Sequence, residues 1–391
     1  MPINLIPLAG NVTPAVRALG WDWVVEDACE NYVAREAVAL PEEEAEDLLE
    51  AADTLYNMVV ESIPDPIPDD LLRLLAIPAA LWSAVRHSWN DDRHWHLYGR
   101  FDLASTVDGI KLIEFNADTA TSLPETAVVQ WASLVAAGQA DETRQANGLF
   151  EGLEAQLHEW LGLNDDLNPS LLLVHLPGSA EDEANCAVLA EAARAAGFTD
   201  VHVCPVDAMQ VSVVGEERGV WAQFGPDEWR RYSFVFKLVP WEILAVEEPE
   251  LTADLVQLLL SRDVIIANPA YTLLFQSKGL LAWLWQVYPH HPLLLETAGQ
   301  DIGGHQVRKP MFGREGQNIA ELDQGRVRAE AAGDYGQQPQ VFQRWAALPA
   351  DAQGRLYQAG VFWAGEACAL GFRREKGVIT NLSEFVPHKL V

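Results

Sequence analysis

A mixed α/β fold, with a parallel sheet covered by helices, is what this sequence predicts, and three features carry the prediction. After Pro169, short apolar runs (SLLLVHLPG, DVHVCPV, residues 232–238 and 263–267) alternate with helical stretches such as EDEANCAVLAEAARAAG and residues 250–261. Strand and helix alternating at that length set the strands side by side in parallel with helices on their faces. Residues 42–63 place apolar side chains at helical spacing beneath an acidic face, and residues 100–118 read as two extended stretches about a glycine turn. With 391 residues, 49% apolar and 21% charged, the chain is long and apolar enough for two or three globular domains.

In chain order, the amphipathic helix of residues 42–63 is stopped by the proline-rich SIPDPIPDD. Residues 71–88 continue as helix, with Trp82 and Trp89 expected as core aromatics, and Pro124 and Glu125 open a helical stretch that runs with pauses from Thr126 to about Trp160. Beyond Pro269, Lys278 in QSKG precedes an apolar helix over residues 280–287. In HQVRKPMFGREGQN a short strand carrying Lys309 runs into a loop whose Gly313 and Gly316 let backbone N–H groups approach an anion, or form an ordinary exposed turn. The segment LGFRREKGVITNLSEFVPH reads as strand, turn and strand, with Arg373 at the end of an apolar approach. Boundaries at Asp165/Asp166 and Asn268/Pro269 give three pieces, 1–165, 166–268 and 269–391.

A formal charge of −31 argues against nucleic acid and anionic lipid as partners, since both are bound through an excess of Lys and Arg. The deficit is uneven, −21 over residues 1–165, −11 over 166–268 and +1 over 269–391. A neutral last third with Arg308, Lys309 and Arg314 close together fits an anionic ligand, or chance variation of surface charge. Cys29, Cys186, Cys204 and Cys368 are far apart and lack metal or redox spacing, so they read as reduced, mostly buried thiols. With no signal-like start and no long apolar span, a cytoplasmic location is expected. The ten histidines show no HExxH or other zinc spacing and read as structural. No glycine fingerprint supports a dinucleotide-dependent dehydrogenase.

The most informative segment is RFDLASTVDGIKLIEFNAD. A three-residue loop Val107-Asp108-Gly109 pairs Thr106 with Ile110, which sets Asp102 opposite Glu114 and Arg100 opposite Asn116, all on one face. Two opposed carboxylates repel, so positive charge must lie between them. Arg100 is one candidate, and a hard divalent cation held by Asp102, Glu114 and the Asn116 amide oxygen is the other. A two-residue loop would shift the register and separate the faces.

Taken together, RFDLA…DGIKLIEFNADTATSLPETAVVQW, FKLVPWE, NPAY…LFQSKGLLAWLWQVYPHHPLLL, VRKPMFGREGQNI, YGQQPQVFQRWAALP and GFRREKGVITNLSEFVPH resemble the glutathionylspermidine synthase family, most closely its stand-alone synthetase-like members, from about residue 20 to the last. The resemblance implies an ATP-grasp fold with an associated pre-ATP-grasp parallel α/β domain. On that reading residues 1–165 hold a helical region and the metal-binding hairpin, 166–268 the pre-ATP-grasp-like domain, and 269–391 the nucleotide-binding lobes.

The resemblance further implies that Asp102, Glu114 and Asn116 are Mg²⁺ ligands and that Arg100 contacts phosphate or the activated acid. Lys278 and Lys309 would bind ATP, Gly313 and Gly316 belong to a mobile loop over the phosphates, Arg373 support the reacting phosphoryl group, and Gln343 lie at the ATP-site hinge. The expected activity is ATP-dependent ligation of a carboxylic acid, such as the peptide glutathione, to a cationic amine such as a polyamine, through an acyl phosphate. Alternatives are a phosphotransferase on the same fold and a non-catalytic ATP-binding regulator. Two departures stand out. The chain begins too close to the synthetase region for the amidase domain of bifunctional relatives, so amide hydrolysis is not expected, and Arg374 stands where an acidic residue is common.

Overall fold

Four apolar strands make the parallel sheet, in the order Ile265–Ala267, Phe234–Lys237, Ser170–His175 and Asp200–Pro205. The structure, a computed structural model, describes residues 3–18, 32–140, 144–225, 228–380 and 383–391. Ser170–His175 and Phe234–Lys237 are buried at every position, as strands covered on both faces must be. Their side chains alternate between two cores. Leu171, Leu173, Phe234 and Phe236 meet Cys186, Leu189 and Ala193 of helix Ala180–Ala196, and Leu172, Val174, Val235 and Ile266 face Leu255 and Leu259 of helix Pro249–Leu260. Ser179 caps the first of these helices by accepting from the Asp182 N–H at 3.2 Å, and Gly197 ends it in the left-handed conformation.

Two five-stranded antiparallel sheets hold the remaining site elements. One runs Thr297–Ala298, Gln340–Arg344, His305–Pro310, Ala320–Asp323, Arg326–Glu330. The other runs Glu384–Val386, Ala367–Glu375, Leu356–Trp363, Gly99–Thr106, Gly109–Asn116, so strands more than 240 positions apart pair edge to edge. A three-stranded sheet (Leu5–Pro7, Glu36–Leu40, His388–Leu390) brings the two described ends of the chain together.

The acidic helix forms as predicted, Glu42–Ser62, with Leu48, Leu55 and Val59 among its buried residues. Other helical expectations need correction. Residues 71–88 are not continuous: helix Asp69–Leu74 ends, Ala76 takes φ +53°, and Pro78 precedes a short turn before Trp82–Trp89. A proline removes a helix donor and forces the preceding residue out of the helical region. Trp82 and Trp89 are half-buried at the core's edge, and the Arg73 guanidinium lies 5.2 Å from the Trp82 ring centroid. After Pro124 the chain makes a π-helical turn, Glu125–Val129, then Gln130–Ala136, and resumes as helix only at Leu149–Gly162. The small sheet Met209–Ser212, Gly219–Gly225, Glu228–Tyr232 was not predicted. Cys186 and Cys204 are buried free thiols and Cys368 a half-buried one, while Cys29 lies outside the described residues. No helix among the described residues is long and apolar enough to cross a membrane.

Candidate active site

The hairpin reaches the predicted pairing by a different route. Val107 and Asp108 alone form the turn, so Thr106 pairs with Gly109 and Ser105 with Ile110. Left uncorrected, that two-residue turn would separate the two carboxylates. A bulge restores them: Leu103 pairs with Leu112 but Asp102 with Glu114, leaving Ile113 as the extra residue. Beyond the bulge Arg100 pairs with Asn116, and all four polar side chains line one cavity of about 740 Å³.

Within that face Arg100 donates to both Asp102 oxygens at 2.7 and 3.1 Å, and to the Thr121 carbonyl at 2.8 Å. Asn116 Nδ2 sits 3.2 Å from Asp102 and 3.3 Å from Glu114, so three side chains converge on one point. Glu114 is met from the other side by Lys278 at 3.1 Å. Burial raises Asp102 above the usual carboxylate range against the pull of Arg100. Burial acts on Glu114 too, but the Lys278 and Lys309 ammonium groups draw it down to about 2. Neighbouring carboxylates held in opposite directions are a mark of functional sites.

The lysines come from separate elements. Lys278 stands just before helix Gly279–Val287, 6% exposed, and donates to the Gly313 carbonyl at 2.6 Å. Lys309, 3% exposed on strand His305–Pro310, donates to Gln343 Oε1 at 2.7 Å and the Ile113 carbonyl at 3.1 Å. Gln343 donates in turn to the Leu112 carbonyl at 3.1 Å, which ties its strand to the bulged hairpin. Burial lowers Lys309 to about 8 despite the neighbouring Glu114. Gly316 takes φ +74°, and a Cβ on Gly313 would lie 2.7 Å from the Pro310 ring, so this loop needs both glycines. Arg308 departs from the expected cluster, pairing instead with Glu330 at 2.6 Å, whereas Lys309 and Arg314 line the cavity.

Arg373 enters from the last long strand, Ala367–Glu375, and donates to Ser122 Oγ at 2.7 Å and the Ser383 carbonyl at 2.9 Å. Arg374 points away from it. Its guanidinium, 4% exposed, is bound by Glu384 at 2.6 Å and Glu36 at 2.7 Å, so the unusual residue adds no charge to the cavity.

Apart from Arg308, every site residue singled out from the sequence lines the same cavity. Sequence reasoning missed its acidic wall. Glu181 and Asp182, in the first turn of helix Ala180–Ala196, line the cavity, and Glu125, fully buried, lies 3.5 Å from Arg373 and accepts from the Tyr32 hydroxyl. Burial and the nearby Glu125 raise Glu181 to about 7. It also missed the buried Lys237–Asp118 pair at 2.7 Å, and that Arg314, grouped with Lys309 from the sequence, bridges Thr119 at 2.9 Å and Glu242 at 2.6 Å. A serine cap ahead of consecutive acids was the only sequence signal, and it reads as ordinary helix-start chemistry.

A family model described as glutathionylspermidine synthase preATP-grasp matches residues 5–391. A Haemophilus influenzae protein whose name assigns it provisionally as an acid–amine ligase is 30% identical over 321 residues, 78% of this chain and 77% of its own. The bifunctional glutathionylspermidine synthetase/amidase of Escherichia coli is 27% identical over 354 residues, 83% of this chain and 54% of that protein, so the chain spans about half the length of this relative. Trypanothione synthetase of Crithidia fasciculata is 26% identical over 352 residues, 84% of this chain and 52% of its own. Among solved structures, a glutathione synthetase-like effector from Globodera pallida, in apo form, superposes with a TM-score of 0.56 over 91% of this chain and 89% of that one, at 9% identity. The fold is thus the predicted ATP-grasp architecture with its parallel α/β unit.

Proposed function

The chain belongs to the glutathionylspermidine synthase family, and from that membership we propose that it is an ATP- and Mg²⁺-dependent ligase joining a carboxylic acid to an amine. The observation that carries the proposal is the convergence of Asp102, Glu114 and Asn116 in a cavity that also holds Lys278, Lys309, Arg100 and Arg373. Two carboxylates around one neutral amide fit a hard cation, which takes one or two carboxylates and completes its shell with water and phosphate oxygens. Asn116 turns its amide nitrogen toward the carboxylates; a rotation about its last side-chain bond offers the oxygen instead. Held there, Mg²⁺ supplies positive charge to the nucleotide phosphates.

The chain's own residues then divide the work. Lys278 and Lys309 bind the nucleotide phosphates, with Gln343 at the nucleotide hinge, and the loop bearing Gly313 and Gly316 covers them and excludes water. The acid's carboxylate attacks the γ-phosphorus of ATP, ADP leaves, and an acyl phosphate remains. Arg100 and Arg373 bind the charge that develops on the transferred group. An amine attacks the acyl carbon and phosphate departs, which completes the amide. Glu181 and Asp182 face the amine, and a cation there relieves the repulsion among buried carboxylates. Relatives named for glutathionylspermidine and trypanothione synthesis support a peptide such as glutathione as the acid and a polyamine as the amine. Residues 166–268 serve as the pre-ATP-grasp unit and 269–391 as the nucleotide lobes.

The test is ADP release and product mass for the purified protein with ATP, Mg²⁺ and a panel of peptides and polyamines. Turnover that needs both acid and amine, with loss of one water from their summed mass, is expected. ADP release that never requires an amine refutes the ligase assignment.

A further inference from the structure

We propose that His87, Asp91 and His94 form a second metal site, suited to a first-row transition-metal ion such as Zn²⁺ and separate from the ligase cavity. Each offers one ligand atom, and these atoms all lie within 4.8 Å of one another. His87 stands in the last turn of helix Trp82–Trp89, and Asp91 and His94 in the turn that follows it. None of the three lines the large cavity.

The second observation is the state of the imidazoles. His94 is 2% exposed, yet neither of its ring nitrogens has a hydrogen-bond partner, and His87 Nε2 lacks one as well. Buried polar atoms are nearly always satisfied, so nitrogens left open beside a carboxylate call for a ligand. Imidazole nitrogen and carboxylate oxygen are the donors Zn²⁺ takes, at about 2.0–2.2 Å in a tetrahedral arrangement, which holds ligand atoms roughly 3.3–3.5 Å apart. The His87 Nε2 to Asp91 Oδ2 distance, 3.6 Å, is already close to that edge. Three protein ligands leave a fourth position for water or another donor.

The surroundings orient the carboxylate. Arg262, just past helix Pro249–Leu260, donates to Asp91 Oδ2 at 2.9 and 3.0 Å, and the Arg93 backbone N–H donates to Oδ1 at 3.2 Å. Such outer partners commonly fix metal-binding carboxylates. The Arg93 guanidinium turns away to Asn164 and Asp166. A metal here would clamp the turn that leads within a few residues into strand Gly99–Thr106, and so into the carboxylate hairpin.

The experiment titrates chelator-treated, full-length protein with Co²⁺ while excess Mg²⁺ occupies the carboxylate hairpin, and repeats it on His87→Gln and Asp91→Asn. His87 Nε2 gives up no hydrogen bond in the first variant, so the fold is retained. One equivalent of Co²⁺ with the intense visible absorption of a four-coordinate ion is expected, displaced by Zn²⁺. Each variant should weaken binding by more than about 100-fold, because even outer-sphere partners are worth 10- to 100-fold. Zn²⁺ should raise the Tm of the parent protein and not of His87→Gln. Absence of the band in the parent, or a band or Tm rise that survives in the variants, overturns the proposal.

Discussion

Removing the Asp118 carboxylate probes how the carboxylate hairpin is anchored to the parallel sheet. Asp118, two residues beyond Asn116, is fully buried, and Lys237 at the end of strand Phe234–Lys237 is 2% exposed. Their 2.7 Å contact corresponds to about 6 kcal/mol of attraction at an effective dielectric constant of about 20. Burial nevertheless raises Asp118 and lowers Lys237, each toward its neutral form and against the pull of the other, so desolvation outweighs pairing. A partner left alone is worse off still. Asp118→Asn strands an ammonium among apolar groups and should cost about 3–5 kcal/mol, and Lys237→Met a similar amount. The double variant removes both charges and should lose about 3 kcal/mol less than the sum. Asn at position 118 still accepts from the Trp241 N–H, now 3.1 Å from Asp118, so the backbone anchor is preserved. Urea unfolding followed by tryptophan fluorescence reads all four proteins. Additive single effects, or singles costing under about 1 kcal/mol, would refute the reasoning.

Three further outcomes follow from the cavity. Glu114→Gln should lower ATP turnover by about 100-fold or more at saturating substrates, and should lower Tm as well, because it leaves the buried Lys278 and Lys309 ammonium groups without their carboxylate. Lys309→Met should raise the ATP KM by roughly 10- to 100-fold, the worth of one charge-assisted hydrogen bond, as checked by steady-state kinetics and by calorimetric nucleotide binding. Glu181, raised to about 7, is neutral below that pH and charged above it, so the apparent amine KM should fall as pH rises through 7. A polyamine stays protonated over that range, and Glu181→Gln should flatten the profile.

The hairpin shows both how much is legible in a sequence and where legibility stops. Alternation of Arg100, Asp102, Glu114 and Asn116 about Gly109 was enough to place the four side chains on one face. The turn it assumed was one residue too long, and the Ile113 bulge compensates. A bulge is decided by what the bulged strand must pack against, and here the Ile113 and Leu112 carbonyls receive Lys309 and Gln343 from another sheet. The parallel strands were readable because fully buried strands are near-continuous apolar runs. The break at Pro78 was equally available in the sequence, and the helical periodicity on either side obscured it.

By itself the sequence determined the local order of strands and helices, the acidic excess before Pro269, and the residue types of the cavity, because backbone propensity and side-chain period act over a few neighbours. Only the tertiary structure decided that the acidic Glu181 and Asp182 wall faces Arg373, that Arg374 is neutralised elsewhere, and that Asp118 meets Lys237. It also decided that the buried His94 imidazole and the half-buried His87 imidazole stand open beside Asp91, where the histidines had read as structural. Those relations join residues up to hundreds of positions apart, and their energies depend on distance and burial, quantities that exist only once the chain has closed on itself.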